Sequence, residues 1–419
     1  MPDDKAQQQQ QYNARLVGPE QSTVRGEIER VGALWQGQEI VGRKSRFLHI
    51  SLSGLTCVGA NVLKQEMLAR GGDCAVHRDC LTLERETTSV LLTGTRAQYD
   101  DLLAKLPQQA FGLPEAARQL DALLLNIEAL PTPVQAGPYT LPIGKRTLIM
   151  GIINVTDDSF SGDSLGTRPH AALEQALRMK AEGADILDVG GMSTRPGSEP
   201  ISIDDEIGRV RPVIELLQKE NIGLPISIDT YRAAVASAAM QAGAHIINDI
   251  TALRDDPELG KVAARHEALL ALMHIQGTPQ TMQQNPEYGD LLGEVILYLR
   301  EAVDKAVSCG VNKSRVWIDP GIGFGKTLDH NLELLRRLGE LKSIGCAVLV
   351  GTSRKGFIGK LLQQEGQPPP PPEQRATGTG ATLAVSIANR ADIVRVHDVA
   401  QAREVVRVAD AIVRPSGSS

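Results

Sequence analysis

Between Leu148 and His397, short apolar runs recur, and each ends abruptly in a glycine or a polar residue. The first four read Ile152-Ile153 into Asn154, Ile186-Leu187-Asp188-Val189 into Gly190, Ile226-Ser227-Ile228 into Asp229, and Ile246-Ile247 into Asn248. Then come Leu269 to Met273 into His274, Val316-Trp317-Ile318 into Asp319, Val348-Leu349-Val350 into Gly351, and Ile393-Val394 into Arg395 and His397. Stretches with helical spacing lie between them, among them 169–181 and the alanine-rich 232–242, closed by Gly183 and Gly243. Eight apolar runs alternating with helices predict an α/β fold, a (β/α)8 TIM barrel, whose chemistry gathers at the C-terminal ends of the strands. The polar tips fall where that fold would collect them into one mouth.

Upstream the pattern is mixed. Residues 1–25 begin with a glutamine run that buries nothing and read as a disordered tail. In 26–130, Leu48–Leu52 and Ser89–Leu92 alternate like strands, while 60–69, 96–106 and 114–130 carry helical spacing, which predicts a small α+β domain of unread role. Residues 131–138 hold three prolines and a glycine and read as a linker, leaving 139–419 to the barrel. The oligoproline run Pro368–Pro372 cannot be helix and reads as an exposed loop.

Composition narrows the classes. With 22% charged and 42% hydrophobic residues the chain can bury a large core. A formal net charge of -6 argues against nucleic-acid binding and makes a local cluster of cations stand out. No apolar stretch approaches the ~20 residues a membrane span needs, and the polar start lacks the apolar region of a signal peptide. Five cysteines, odd in number and widely spaced, fit a reducing, cytoplasmic setting. Cys57, Cys74, His77 and Cys80 do not match a common zinc spacing.

The chemistry lies in the tips. Asn154–Asp163 packs amide, hydroxyl and carboxylate groups after a buried run, oxygen ligands suited to Mg²⁺. Gly190–Gly197 offers paired glycines for close backbone approach and Arg195 as a planar fork for phosphate. Asp229, Asn248 and Asp319 suit edge recognition of a flat heteroaromatic ring, with helix capping the bland alternative for the two carboxylates. Ser353, Arg354, Lys355, Arg395 and His397 form a cationic group on the last two strands, a common phosphate quarter of barrels. Such a mouth predicts a substrate that is half heterocycle and half phosphate. Two glycine patterns are decoys. Gly323-Phe324-Gly325-Lys326-Thr327 has Pro320 where a P-loop needs its first glycine, and Gly378-Thr379-Gly380 meets Leu383 where a dinucleotide fingerprint needs another.

Taken together, Met150–Thr156, Gly190–Gly197, Ile226–Thr230, Ile246–Asp249, Met273-His274, Asp319–Lys326, Gly351–Lys355 and Arg395–Asp398 resemble, in order, the motifs of the dihydropteroate synthase family. The resemblance covers about 139–413. It implies condensation of 6-hydroxymethyl-7,8-dihydropterin diphosphate with 4-aminobenzoate, Mg²⁺ as cofactor, a homodimer, and no covalent enzyme nucleophile. It further implies that Asp229, Asn248, Asp319 and Lys355 hold the pterin and that Asn154 places the metal. Arg195, Arg395 and His397 would bind diphosphate, and Thr194, Phe324 and Ser353 would border the aminobenzoate, with Lys355, Arg395 and His397 as the catalytic set. Two residues depart from the family pattern: Asp157 stands where proline is usual, and Met192 where an acid or amide is usual. A corrinoid methyltransferase-like barrel would need the pterin carboxylates but not the anion cluster. A non-catalytic pterin-binding regulator is the other alternative.

Overall fold

The computed structural model describes residues 15–18, 21–82, 84–129, 131–155, 168–192, 201–278 and 281–414. They form two compact units, divided after Leu125.

The first unit carries strands Phe47–Thr56, Asp73–Val76 and Thr87–Thr95 in an antiparallel sheet with the third strand central. Helices Cys57–Leu68 and Arg96–Lys105 follow the first and third strands, begun by caps from Thr56 and Thr95. Their inner faces bury Leu63, Met67, Tyr99 and Leu102. Residues 21–25, expected in a disordered tail, instead open the helix Gln21–Arg30, and Trp35–Ser45 is a second helix the pattern missed. Neither has an apolar stripe to announce it. Ion pairs along the chain, Arg25 to Glu29 and Arg30 to Glu27, run along the first instead. Cys57 and Cys80 bring their thiols within 3.1 Å, and no metal-ligating cluster of three occurs among the described residues.

The second unit is the expected barrel. Its strands are β1 Leu148–Asn154, β2 Ile186–Gly190, β3 Ile226–Asp229, β4 Ile246–Asp249, β5 Leu269–Met273, β6 Val316–Asp319, β7 Ala347–Val350 and β8 Ile393–Val396. All pair in parallel in sequence order, and β8 closes on β1 with Arg395 beside Met150. Alternation sorts the side chains. Leu148, Met150, Ile186, Ile246, Leu269, Ala271, Trp317, Leu349 and Ile393 fill the interior, whereas Ile149, Ile153, Leu187, Val189, Ile228 and Ile247 face the helices. Both faces are buried, which is why these strands read as continuous apolar runs.

Residues 131–138 are not only a linker. Val134–Ala136 pairs with Tyr139–Leu141 as a hairpin, turned at Gly137 with φ +57°. Ala136, Leu141 and Ile143 pack on the interior residues that begin the strands. The proline-rich segment therefore closes the barrel floor, and the mouth at the other end is left for chemistry.

Candidate active site

The inward positions grow polar toward the strand ends. On β3, Ser227 and Asp229 share the interior face, and Asp229 lies in register between Gly190 on β2 and Asn248 on β4. Gly190 leaves open the space beside it: a Cβ there would lie 3.5 Å from that of Asp229 and 3.8 Å from Oδ1 of Asn154. Gly191 serves packing instead, since a Cβ would meet Val210 at 2.6 Å on the helix Ile203–Lys219.

Arg395 reaches across this face. Its Nε donates to Oδ2 of Asp188 at 2.6 Å and its Nη2 to Oδ2 of Asp229 at 2.6 Å. Sequence order suggested an anion contact on β8, but the guanidinium commits two donors to carboxylates. Asn248 donates Nδ2 to the same Asp188 oxygen at 3.2 Å. Burial pushes the Asp229 carboxyl up to about 7, with Arg395 opposing and Asp188 reinforcing the shift.

Asp319 ends β6, buried, and its Oδ1 caps the turn through the N–H of Gly321 at 2.7 Å. The capping role therefore holds for one of its oxygens. Gly321 has φ +68°, and a Cβ there would sit 1.9 Å from the carbonyl oxygen of His274, so only glycine fits. Burial raises the Asp319 carboxyl, with Lys355 as the main opposing charge. Lys355 donates to the carbonyl of Ile322, and its ammonium lies 4.7 Å from the centre of the Phe324 ring. Burial lowers this ammonium to about 8, against the pull of Asp319.

The last two strands are tied at their tips. Ser353 accepts from the backbone N–H of His397 at 3.2 Å and lies 3.0 Å from its Nδ1. Arg354 between them holds φ 60°, a left-handed backbone unusual for a non-glycine residue. Its side chain forks onto Asp398, its N–H donates to Thr379 at 3.1 Å, and its carbonyl accepts from Arg375 at 2.8 Å. That clamp turns Ser353 and Lys355 toward the mouth.

Asn154 ends β1 half-buried with its amide at the rim. Thr194, Arg195 and Asp157 lie outside the described residues. Met192 is described, and the Tyr231 hydroxyl sits 4.0 Å from its sulfur. Near the second loop, Arg209 donates to the carbonyl of Gly191 at 3.1 Å. Arg232 joins the carbonyl of Ile201 and the buried Glu206, each at 2.9 Å.

Two groups escaped the sequence. Asp188 is fully buried in the middle of an apolar run, and Lys326 lies in a glycine pattern that reads as a decoy. Lys326 is buried, donating to the carbonyl of Phe324 at 2.9 Å and contacting Nδ1 of His274 at 2.8 Å. Burial drives the His274 imidazole down to about 2, so its neutral ring accepts from Lys326. A charge within a strand buried on both faces was the available signal for Asp188. Beyond His274 lies a cavity of about 280 Å³ lined by Arg254, Gln276, Tyr288 and Tyr298, which includes none of Asp229, Asn248, Asp319 or Lys355.

A family described as pterin binding enzyme matches residues 150–397. The dihydropteroate synthase of Synechocystis is 48% identical over 297 residues, covering 71% of this chain and 99% of that protein. Among solved structures, dihydropteroate synthase from Clostridium difficile in the presence of pteroic acid shares 42% identity and superposes with a TM-score of 0.61, covering 65% of this chain and 99% of that one. The Xanthomonas albilineans enzyme in complex with 7,8-dihydropteroate shares 38% identity with a TM-score of 0.60, covering 67% and 99%.

Proposed function

The chain belongs to the dihydropteroate synthases, transferases of folate biosynthesis that join 6-hydroxymethyl-7,8-dihydropterin diphosphate to 4-aminobenzoate, and from that premise we propose how its mouth performs the reaction. The observation that carries the assignment is the convergence of Asp229, Asn248, Asp319 and Lys355 around one face of the barrel interior. A pterin presents a row of ring and amino N–H groups beside a carbonyl. Asp229 and Asp319 accept from such donors, Asn248 offers an acceptor, and Lys355 donates to the carbonyl side. Phe324 and the apolar group Ile250, Met273 and Met282 supply the flat wall that a ring needs.

In the reaction the amine nitrogen bonds to the exocyclic carbon as the bond to diphosphate breaks, and the electron pair leaves with the diphosphate. The amine then releases a proton. The reduced ring supports positive charge at that carbon, so no enzyme nucleophile is required. The protein orients the two partners and stabilises the departing charge. His397, just past β8, and the donors of Arg395 not bound to Asp188 and Asp229 would face that charge, and Arg195 would join them. Ser353, Phe324 and Thr194 would border the aminobenzoate.

Mg²⁺ fits the donor set in a limited way. It commonly takes one or two protein oxygens together with substrate phosphates, and the Asn154 amide oxygen at the rim would be one such ligand. Bound there with diphosphate, the metal would neutralise leaving-group charge. We also infer a homodimer: the helix Val399–Val413 leaves Val408 61% and Ile412 73% exposed, side chains that a second copy would cover. Light scattering that returns a monomer would remove that inference. Among the described residues no helix is long and apolar enough to cross a membrane.

Incubating the purified protein with both substrates, with and without Mg²⁺, tests the whole assignment. Dihydropteroate is expected, faster with metal. Pterin binding without product would reject the catalytic roles given to Lys355, Arg395 and His397.

A further inference from the structure

Asp188 stands one inward layer below the residues that face the ligand. Its register partners are Ile152 on β1 and Ser227 on β3, whereas Gly190 and Asp229 form the next layer toward the mouth. It is completely buried. Its Oδ2 accepts from both Arg395 and Asn248, at 2.6 and 3.2 Å. Among the described residues its Oδ1 has no hydrogen-bond partner, and neither does the hydroxyl of the neighbouring Ser227. A buried carboxylate with an unpaired oxygen costs stability, and an apolar side chain would suit the run Ile186-Leu187-Asp188-Val189 better as packing. Its partners supply the reason for its presence, because both are among the polar side chains given to the ligand site.

We propose that Asp188 is a positioning residue of the pterin site, setting the guanidinium of Arg395 and the amide of Asn248 from below without touching the substrate. The proposal rests on the assignment of Asp229, Asn248 and Arg395 to that site. Three consequences follow from the geometry. With its nitrogen drawn down to Asp188, Asn248 turns its carbonyl oxygen toward the ring, and the amide is fixed as an acceptor. Arg395 is stretched between Asp188 and Asp229, which requires a fork with separated donors; a lysine ammonium has no such span. The negative charge of Asp188 also lies close enough to Asp229 to hinder its ionisation.

Asp188→Asn preserves the shape and removes the charge. The dissociation constant of the pterin diphosphate, measured by calorimetry, is expected to rise about tenfold or more, the scale of a lost charge-assisted contact. The KM for 4-aminobenzoate should stay within about twofold, because neither Phe324 nor Ser353, the described residues given to the aminobenzoate, is hydrogen-bonded to Asp188. The acid limb of pterin binding should move to lower pH by about half a unit or more. That shift follows because one like charge disappears from beside Asp229, while the other charges facing it, Arg395, Glu206 and Asp249, remain. That shift reports the nearness of the two carboxylates, and the loss of pterin affinity reports the positioning, which a purely structural carboxylate would leave unchanged. Unchanged pterin affinity overturns the proposal.

If Asp188→Asn does not fold, Arg395→Lys examines the same contact from its other end. It should weaken pterin binding by a comparable factor, and wild-type affinity in that variant overturns the proposal equally. Asp229→Asn is measured alongside. Should it also bind normally, the pterin-site assignment itself fails; should it alone lose binding, only the positioning role of Asp188 fails.

Discussion

At the scale of single residues, burial against partner charge decides how the site titrates. Asp229 is raised to about 7 by burial and must be ionised to accept two N–H groups, so pterin binding should fall as pH drops through that value. Lys355 is lowered to about 8 by burial and donates best as a cation, so binding should fall again as pH rises past that value. The two limbs predict a maximum in kcat/KM for the pterin diphosphate between about 7 and 8, set by the free enzyme. Lys355→Arg should move the alkaline limb upward while leaving the acid limb in place, and a pH profile with no such movement would detach Lys355 from it. Asp229→Asn should reduce pterin affinity by about tenfold to a hundredfold, the scale of a hydrogen bond to a charged group. Asp229, Asn248 and Asp319 were legible in the sequence because each breaks an apolar run at its end, and Lys355 because it closes the polar stretch that follows another. Asp188 was not, because it interrupts a run in the middle, where the surrounding isoleucine, leucine and valine set the pattern.

At the scale of elements, alternation along β8 turns Val396 out among the helices and Arg395 across the interior face, whereas His397 lies just past the strand and is held at Ser353. Alternation could not say what Arg395 meets. The two carboxylates that hold it come from β2 and β3, more than 160 residues away in sequence. Arg395→Ala should therefore weaken the pterin alcohol as well as its diphosphate, by releasing Asp188 and Asp229 from their shared partner, with the larger loss for the diphosphate. A loss confined to the diphosphate would return Arg395 to a pure anion role. The end of β2 offers a second test. Gly191 approaches the helix Ile203–Lys219 so closely that Gly191→Ala drives a methyl into Val210, and overpacking of this kind costs about 1–3 kcal/mol. Thermal unfolding unchanged by that substitution would show that helix and strand yield freely. The paired glycines had suggested close approach to a ligand; for Gly191 the close approach is to the helix.

At the scale of the whole molecule, the barrel was readable because eight runs buried on both faces leave a strong periodic trace. The hairpin beneath it was not, since Val134–Ala136 and Tyr139–Leu141 are three residues each and sit among prolines. Compositional signals mark such a segment as a connection, while only packing shows that Ala136 and Leu141 complete the barrel interior. Where the chain is cut should therefore matter. The second compact unit starts at Asn126, whose side chain donates to the carbonyl of Ser343 at 2.9 Å. A chain running from Asn126 to Arg414 keeps that contact, the hairpin and every described site residue. It should fold and bind the pterin diphosphate with an affinity close to that of the full chain. A chain beginning at Pro142 loses Ala136 and Leu141 from the floor, and should be destabilised by about 2–5 kcal/mol, the scale of emptying a buried leucine site. Circular dichroism melts and pterin titrations of the two truncations separate the contributions. If the longer one is folded and soluble but does not bind, residues 15–125 take part in ligand binding and the site is not complete within the barrel. If the shorter one melts with the longer, the hairpin is a connection after all, and the interior closes without it.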